Sequence, residues 1–197
     1  MRKIIVSMNV TLDGYMCDRN SELDWHFEHW TPDMGEAWGE ELNRSDTILL
    51  GRVTYEAMAN YWVSKEKDSL CARDDIAFAV MMNRHHKIVY SKTLKKTEWN
   101  NSTQIKENIK DAILQLKQST DTKSKNIIIY GSGKLVSLLM QLNLIDEYHL
   151  WVHPIILGKG KRLFKKSKNK FSLELLKSET FCSGVILLYY QLSPLDL

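Results

Sequence analysis

The chain has 197 residues, of which 44% are hydrophobic and 26% are charged, and its formal net charge is +3. This is ordinary globular composition, and so small a net charge gives no reason to expect nucleic-acid binding. Three cysteines, Cys17, Cys71 and Cys182, lie far apart, which excludes a disulfide framework and a cysteine metal pair, so we expect a reduced cytoplasmic protein without a metal.

The first predicted element is a buried strand at Lys3–Met8. Its apolar run is too short for a signal peptide or a membrane span, so we expect no membrane association. A helix then begins at Thr31-Pro32-Asp33, which supplies an N-cap, a proline in the first turn and an acid that suits the helix dipole. Its apolar face consists of Met34, Ala37, Trp38 and Leu42.

Further short apolar runs predict strands at Thr47–Leu50, Lys87–Tyr90 and Asn126–Tyr130. Two more apolar stripes predict helices, one formed by Ile105, Ile109, Ile113 and Leu116 and the other by Leu135, Leu138, Leu139 and Leu142. Strands that alternate with helices favour an α/β fold with a mainly parallel central sheet and helices on both faces.

The last third of the chain has a different pattern. Strands are predicted at Glu147–Val152, Ser172–Ser178 and Val185–Leu192, with no helical pattern between them. We expect these to be antiparallel strands added at one edge of the sheet. Because no glycine- or serine-rich linker divides the sequence, we expect a single domain over residues 1–197.

Two glycine-containing turns follow predicted strands and precede helices, at Leu49–Glu56 and Ile129–Leu135. Such turns suit phosphate binding, because glycine lets the backbone approach an anion and the free N–H groups at the helix start point toward it. Neither turn is specific alone: Gly131-Ser132-Gly133 lacks the third glycine of a dinucleotide fingerprint, and each turn by itself is more typical of a tight structural connection.

The combination of motifs is more specific than either turn. In chain order the motifs are Ser7-x5-Asp13-Gly14-Tyr15, Leu50-Gly51-Arg52-x-Thr54-Tyr55-Glu56, Lys87–Ser91, Ile128–Gly133, Leu144–Glu147 and Pro154–Phe164. This order resembles the dihydrofolate-reductase-like superfamily over nearly the whole chain. Within it, the chain is most similar to the C-terminal reductase domain of the riboflavin-biosynthesis deaminase–reductase and its stand-alone bacterial relatives.

The resemblance implies a reductase that uses NADPH. Arg52 is then expected to face the 2′-phosphate, Thr54 the pyrophosphate, and Ser91 the same 2′-phosphate, with Lys92 beside it. The full set of cofactor-binding residues that the resemblance implies is Val10, Gly14, Gly51, Arg52, Thr54, Ser91, Gly131, Ser132 and Gly133.

The resemblance also implies where the substrate and the proton donor lie. The expected substrate-binding residues are Trp25, Leu157, Gly158 and Gly160, and the candidate catalytic acids are Asp13, Asp24 and Asp33. Asp33 has an alternative interpretation as a first-turn helix acid. Lys159, Lys161 and Arg162 form either a basic pocket for a substrate phosphate or a solvated turn, and Lys165 to Lys170 are expected to form a charged hairpin tip.

Two differences from the related enzymes restrict the substrates that can be expected. The chain lacks the Leu-Pro-Gly-Arg-like element by which folate enzymes hold the glutamate tail, and it lacks the zinc motif of the deaminase half. A true dihydrofolate reductase and a non-catalytic nucleotide-binding protein with the same fold remain alternatives. The histidine pairs His26/His29 and His149/His153 are interpreted as pocket-lining or surface residues rather than metal ligands. Relatives in this branch often form homodimers through the sheet-edge region, so the resemblance implies a homodimer.

Overall fold

The structure is a computed structural model, and it describes residues 1–68, 73–118, 125–164 and 170–193. Cys71 lies outside the described residues, as do residues 165–169 of the charged hairpin tip expected at Lys165 to Lys170. The strands are β1 (Ile4–Thr11), β2 (Tyr15–Cys17), β3 (Ser45–Gly51), β4 (His86–Tyr90), β5 (Ser102–Ile105), β6 (Asn126–Gly131), β7 (Glu147–His153), β8 (Lys161–Arg162), β9 (Leu173–Thr180) and β10 (Ile186–Leu192). The helices are α1 (Pro32–Asn43), α2 (Arg52–Lys67), α3 (Arg73–Arg84), α4 (Ile109–Lys117) and α5 (Gly133–Gln141), together with a 3-10 helix at Asp24–His29.

Eight strands form one sheet in the order β5-β4-β3-β6-β1-β7-β10-β9, and β2 pairs with β8 in a separate two-stranded ribbon. All neighbouring pairs from β5 to β7 are parallel. The mainly parallel sheet predicted from the alternating pattern is therefore confirmed. The carboxyl ends of β1, β3, β4, β6 and β7 consequently meet at one edge of the sheet.

The C-terminal strands confirm the prediction in part. Strand β10 runs antiparallel to both β7 and β9, as expected at the sheet edge. Strand β7, which was also expected to be antiparallel, instead runs parallel to β1 in a register that pairs Ser7 with His149. The reason is that α5 lies between β6 and β7 and returns the chain to the start of the sheet before β7 begins.

Several elements differ from the sequence prediction, among them β2, β8 and the 3-10 helix, which were not predicted. Ile105, assigned to the second helical stripe, ends the edge strand β5, and α4 begins at Ile109. Helix α3 was not predicted, although Ala79 and Met82 on it are fully buried. In the part of the chain that the structure describes, no helix combines the length and the apolar character needed to cross a membrane.

The two faces of β1 differ in character, which positions the candidate site. Ile4, Val6 and Met8 join the main core beside α4 and α5. Because side chains alternate along a strand, Ser7, Asn9 and Thr11 lie on the opposite face. A second core cluster lies under α2 and α3, around Ile48, Leu50, Tyr55, Met82 and Trp99. One face of β1 is therefore apolar, whereas the other buries the polar side chains of Ser7 and Thr11 on the same side as Ile5.

Candidate active site

A groove of about 320 Å³ opens at the carboxyl edge of the sheet, where β3, β4 and β6 end. These strands are neighbours, so the two glycine-containing turns, far apart in sequence, lie side by side. Crevices at the carboxyl ends of parallel strands are the usual ligand sites of open α/β sheets. The residues that line the groove are Gly51, Arg52, Val53, Tyr90, Ser91, Thr93, Ser132, Lys134, Leu135 and Leu138.

The two turns touch each other so closely that glycine is required at the contact. A Cβ atom on Gly51 would lie 2.5 Å from Ser132 Oγ and 3.2 Å from the Ser132 nitrogen. Gly131 has a φ of +135°, and a Cβ there would lie 2.7 Å from Thr54 Oγ1. Gly131, which is joined to Ser132 by a cis peptide bond, and Gly51 thus bring the starts of α2 and α5 together.

The starts of α2 and α5 favour an anion. Their N-cap residues are Gly51 and Ser132, and neither helix start has a side-chain cap or a first-turn acid in the described structure. Their first backbone N–H groups are therefore free to bind a ligand, and the helix dipole favours negative charge there. Arg52 adds a guanidinium that bonds Glu56 across one turn of α2, with 2.8 Å between Nη1 and Oε2. Lys134 adds a second cation at the groove.

Ser91 lines the groove but also shapes the loop after β4. Its Oγ accepts hydrogen bonds from the backbone N–H groups of Thr93, at 3.1 Å, and Leu94, at 3.0 Å. A hydroxyl that accepts two bonds still has its own proton to donate. Ser91 is therefore held in place by the loop, and its proton can be donated to Thr93 Oγ1, 3.5 Å away, or to a ligand at the groove.

The loop after β1 is fixed by Asp13, which was a candidate acid. The Asp13 carboxylate accepts hydrogen bonds from the Thr11 hydroxyl at 2.6 Å and from the backbone N–H groups of Leu157, at 3.1 Å, and Gly158, at 2.8 Å. The bond from Thr11 is the largest of the causes that lower the pKa of Asp13. An ionised Asp13 that accepts three hydrogen bonds is suited to position the loop. It is less suited to donate a proton. Gly14 completes the tight turn with a φ of +83°.

The carboxylate of Asp33, another candidate acid, is also held by hydrogen bonds. Its carboxylate accepts hydrogen bonds from the Thr31 hydroxyl and, at 3.1 Å, from the backbone N–H of Cys182 in the β9–β10 turn. The Thr31 bond is the main cause that lowers the pKa of Asp33. The alternative interpretation as a helix-start acid therefore fits the geometry better than a catalytic role. Asp24 lies exposed in the first turn of the 3-10 helix.

The expected substrate loop lies against β2. Gly160 contacts the Cys17 carbonyl so closely that a side chain would not fit, and Leu157 and Gly158 are held by Asp13. Arg162 lies over the Tyr15 ring, 4.5 Å from its centroid, and donates to the Asp13 carbonyl at 3.0 Å. The side chain of Val10, an expected cofactor-binding residue, is buried in the main core near the end of β1.

A buried charged network between α1 and the sheet was missed in the sequence. Glu41 accepts a hydrogen bond from the Ser7 hydroxyl at 2.7 Å and is paired with His149 Nδ1, while His149 Nε2 contacts Glu147 at 3.2 Å. Burial alone would lower the pKa of His149, but its bonds to the two carboxylates outweigh burial and raise that pKa. The signal was present: Glu41 follows Met34 by seven positions, so it lies on the apolar stripe of α1.

Three histidines meet near the same sheet edge, but not as the two predicted pairs. His153, at the end of β7, is fully buried, and its ring centroid lies 6.0 Å from that of His29 and 6.4 Å from that of His26. Burial, helped by the two neighbouring histidines, lowers the pKa of His153 to about 3, so it is neutral at physiological pH. No three potential ligands among the described residues form a metal-binding group.

The sheet order and the ligand groove define an α/β protein of the dihydrofolate-reductase-like superfamily. A sequence profile of the RibD C-terminal domain matches residues 2–187, and the chain belongs to that family. Similar proteins include the uncharacterized protein YyaP of Bacillus subtilis (strain 168), 33% identical over 189 residues that cover 96% of this chain and 94% of that protein. The uncharacterized protein YwjB of the same organism is 27% identical over 189 residues, covering 95% of this chain and 97% of that protein.

Solved structures share the fold. A putative riboflavin biosynthesis protein from Shewanella sp. PV-4 has a TM-score of 0.74 at 22% identity and covers 97% of this chain and 99% of its own. Acinetobacter baumannii RibD has a TM-score of 0.68 at 16% identity, and the match covers 98% of this chain and 58% of that protein. The chain therefore spans somewhat more than half the length of that longer protein.

Proposed function

We propose that the chain is a single-domain, NADPH-dependent reductase whose cofactor lies in the groove between the starts of α2 and α5. The observation that supports this most strongly is the convergence of two uncapped helix starts, at Gly51 and Ser132, beside Arg52. A pyrophosphate carries the charge that such helix starts bind. The close contacts at Gly51 and Gly131 hold the two helix starts side by side, where one pyrophosphate could contact both.

Arg52 supplies the preference for NADPH over NADH in this proposal. Its guanidinium can bind the 2′-phosphate in a bidentate manner, and its bond to Glu56 is an exposed pair that costs little to break. Ser91, which also lines the groove, can donate its hydroxyl proton to the same phosphate. When bound, NADPH supplies a hydride to a polarised C=N or C=O group.

The substrate proposed is a small heterocycle or a related carbonyl compound. One similar structure is described as a diaminohydroxyphosphoribosylaminopyrimidine deaminase/5-amino-6-(5-phosphoribosylamino)uracil reductase from Thermotoga maritima, and we extend the reductase half of that activity to this chain. Arg162, held against Tyr15 beside the Asp13 loop, is a cation at the expected substrate mouth. Its position supports a substrate that carries a phosphate.

We also propose that the protein forms a homodimer through the outer sheet edge. Strand β9 is the outermost strand next to β10, and four large apolar side chains there are exposed. Exposed apolar residues on an edge strand favour association. These residues are Leu173, Leu175, Leu176 and Ile186.

A second candidate, a nucleotide-binding protein without turnover, is favoured by one observation. Two of the three candidate acids, Asp13 and Asp33, use their carboxylates to accept structural hydrogen bonds. Oxidation of NADPH with a panel of heterocyclic and carbonyl substrates, including dihydrofolate, separates the candidates. Turnover with any of them supports the reductase, and NADPH binding without turnover supports the second candidate.

Thermal-shift titrations with NADPH and NADH test the cofactor proposal, because a ligand that binds the native state raises the melting temperature. We expect a larger shift with NADPH, and Arg52→Ala should weaken NADPH binding by about 10- to 100-fold, as expected for the loss of a charged hydrogen bond. The matched control is Arg44→Ala, which removes an equivalent exposed arginine paired with Glu40 on α1. Equal shifts with the two cofactors would remove the role assigned to Arg52.

A further inference from the structure

The loop that follows β4 and returns as β5 carries a short turn at the cofactor groove. Residues Ser91 to Leu94 form this Ser91 turn, and two of them, Ser91 and Thr93, line the groove together with Arg52. The Ser91 hydroxyl holds the turn from within, because it accepts hydrogen bonds from the backbone N–H groups of Thr93 and Leu94. A second side chain, on the edge strand β5, holds the same turn from outside.

That side chain belongs to Gln104, a half-buried residue of β5 whose amide group bridges the two ends of the turn. Its Nε2 donates hydrogen bonds to the backbone oxygens of Ser91, at 2.9 Å, and Leu94, at 3.0 Å. A primary amide has two N–H donors, so both are used here. The two backbone oxygens are thereby occupied, and their partial negative charges are directed at an N–H donor.

The backbone of β5 keeps its place in the sheet without help from that amide. Gln104 is in register with Val89 of β4, and the backbone N–H of Ser91 donates to the Ile105 oxygen at 3.0 Å. Val89 belongs to the core cluster under α2 and α3, so Gln104 lies on that side of the sheet. Loss of the amide should therefore release the Ser91 turn and leave the strand paired.

The far end of the same loop is anchored separately. The backbone N–H of Trp99 donates to the Tyr55 hydroxyl of α2 at 2.9 Å, and its indole N–H donates to Asn83 Oδ1 of α3 at 2.6 Å. The Trp99 side chain is also buried in the core cluster under these two helices. The conformational freedom gained when the Gln104 amide is lost should therefore be confined to the Ser91 turn.

We propose that Gln104 is a positioning residue that gives the groove its discrimination for a 2′-phosphate, by holding the Ser91 turn in place. The inference rests on the proposed function, which assigns that phosphate to Arg52 and Ser91. Gln104 is not among the described residues that line the groove, so it acts through the turn. Without its amide, the two backbone oxygens are free to rotate toward the phosphate and oppose it, and the Ser91 hydroxyl loses its preorganised position.

Two nucleotide fragments test this inference without the nicotinamide ring and without turnover. The probe is adenosine 2′,5′-bisphosphate, and the matched probe is adenosine 5′-monophosphate, which lacks only the 2′-phosphate. Isothermal titration calorimetry gives the dissociation constant of each. The ratio of the monophosphate value to the bisphosphate value measures the discrimination for the 2′-phosphate. We expect the native chain to favour the bisphosphate by about tenfold or more, as for one charged hydrogen bond.

Gln104→Met keeps the length of the side chain and removes both donors. It should lower the ratio by about three- to tenfold by weakening the binding of the bisphosphate alone. Unchanged binding of the monophosphate shows that the variant is folded. The matched control is Thr103→Val, on the opposite face of the same strand, which removes a hydrogen bond to His86 Nε2 and should leave the ratio unchanged. In a Ser91→Ala background, Gln104→Met should cause little further loss, because both residues act through one turn.

Gln104→Glu is a second variant of nearly the same shape, and its carboxylate offers no donor to the two backbone oxygens, so it should lower the ratio as well. A ratio that both Gln104 variants leave at the native value would overturn the inference, as would an equal fall in Thr103→Val. The proposed function fails in a different place. If the native chain itself binds the two probes equally, the groove does not recognise a 2′-phosphate and the inference falls with it, whereas native discrimination that survives loss of the amide defeats only the inference.

Discussion

Replacement of Glu147 by glutamine should measurably destabilise the protein at neutral pH. The side chain of Glu147 is only 13% exposed, lies 3.2 Å from His149 Nε2 and is also paired with Lys3. The hydrogen bond from His149 is the largest of the causes that lower the pKa of Glu147, from 4.5 to about 2, and it prevails over burial. One pKa unit corresponds to about 1.4 kcal/mol, so the ionised carboxylate stabilises the fold by about 3 kcal/mol.

The sign of the pH dependence follows from the direction of the shift. Because folding lowers the pKa, the stabilisation is fully present above pH 4.5 and is lost as the pH falls toward 2. Urea unfolding of the native chain and of Glu147→Gln should therefore differ by about 2–3 kcal/mol at pH 7, and the two free energies of unfolding should converge near pH 2.

The matched control is Glu40→Gln. Glu40 is 68% exposed and pairs with Arg44 across one turn of α1, with 3.0 Å between Oε2 and Nη2. Exposed pairs contribute about 0–1 kcal/mol, so this variant should unfold nearly like the native chain. If Glu147→Gln costs no more than Glu40→Gln, or if its effect is the same at pH 3 and pH 7, the argument from the buried network is refuted.

Three further substitutions test other parts of the structure. Gly131→Ala should reduce the thermal shift with NADPH and destabilise the native state by about 1–3 kcal/mol, because it places a Cβ against Thr54 at a position with positive φ. The control Gly39→Ala, in α1, should have neither effect. Asp13→Ala should increase amide hydrogen exchange at Gly158, because its hydrogen bond to that N–H is lost; unchanged exchange would show that the loop is held otherwise. Leu175→Lys on β9 should convert a dimer into a monomer, as measured by the molecular mass from light scattering. If the variant still has the mass of a dimer, the interface lies elsewhere.

Local sequence signals predicted much of the fold. Buried strands such as β3 and β6 are short runs of branched apolar residues that end at glycine, and this punctuation is readable without any knowledge of neighbours. Strand β5 was not predicted because Ser102–Ile105 is half exposed at the sheet edge and contains polar residues. The direction of β7 depends on the path of α5 across the sheet, which periodicity alone does not give.

The candidate site was predicted where glycine turns define it and missed where burial defines it. The contact between Gly51 and Gly131-Ser132 follows from the parallel, neighbouring strands β3 and β6, and it is present in the structure. The environment of a carboxylate is a tertiary property: Asp33 is bound by the N–H of Cys182, 149 positions away, and Glu41 is bound by Ser7 and His149. No local pattern distinguishes such residues from surface acids, except that Glu41 lies on an apolar helix face.

Hydrogen–deuterium exchange of the native chain with and without NADPH tests the central claim most directly. If the two helix starts bind the cofactor phosphates, NADPH should slow exchange of the backbone N–H groups at Arg52 to Thr54 and at Gly133 to Leu135 together. NADH should protect the same groups less at equal concentration. Binding of NADPH that leaves both helix starts unprotected, or that protects only one of them, would contradict the proposal that they form one cofactor site.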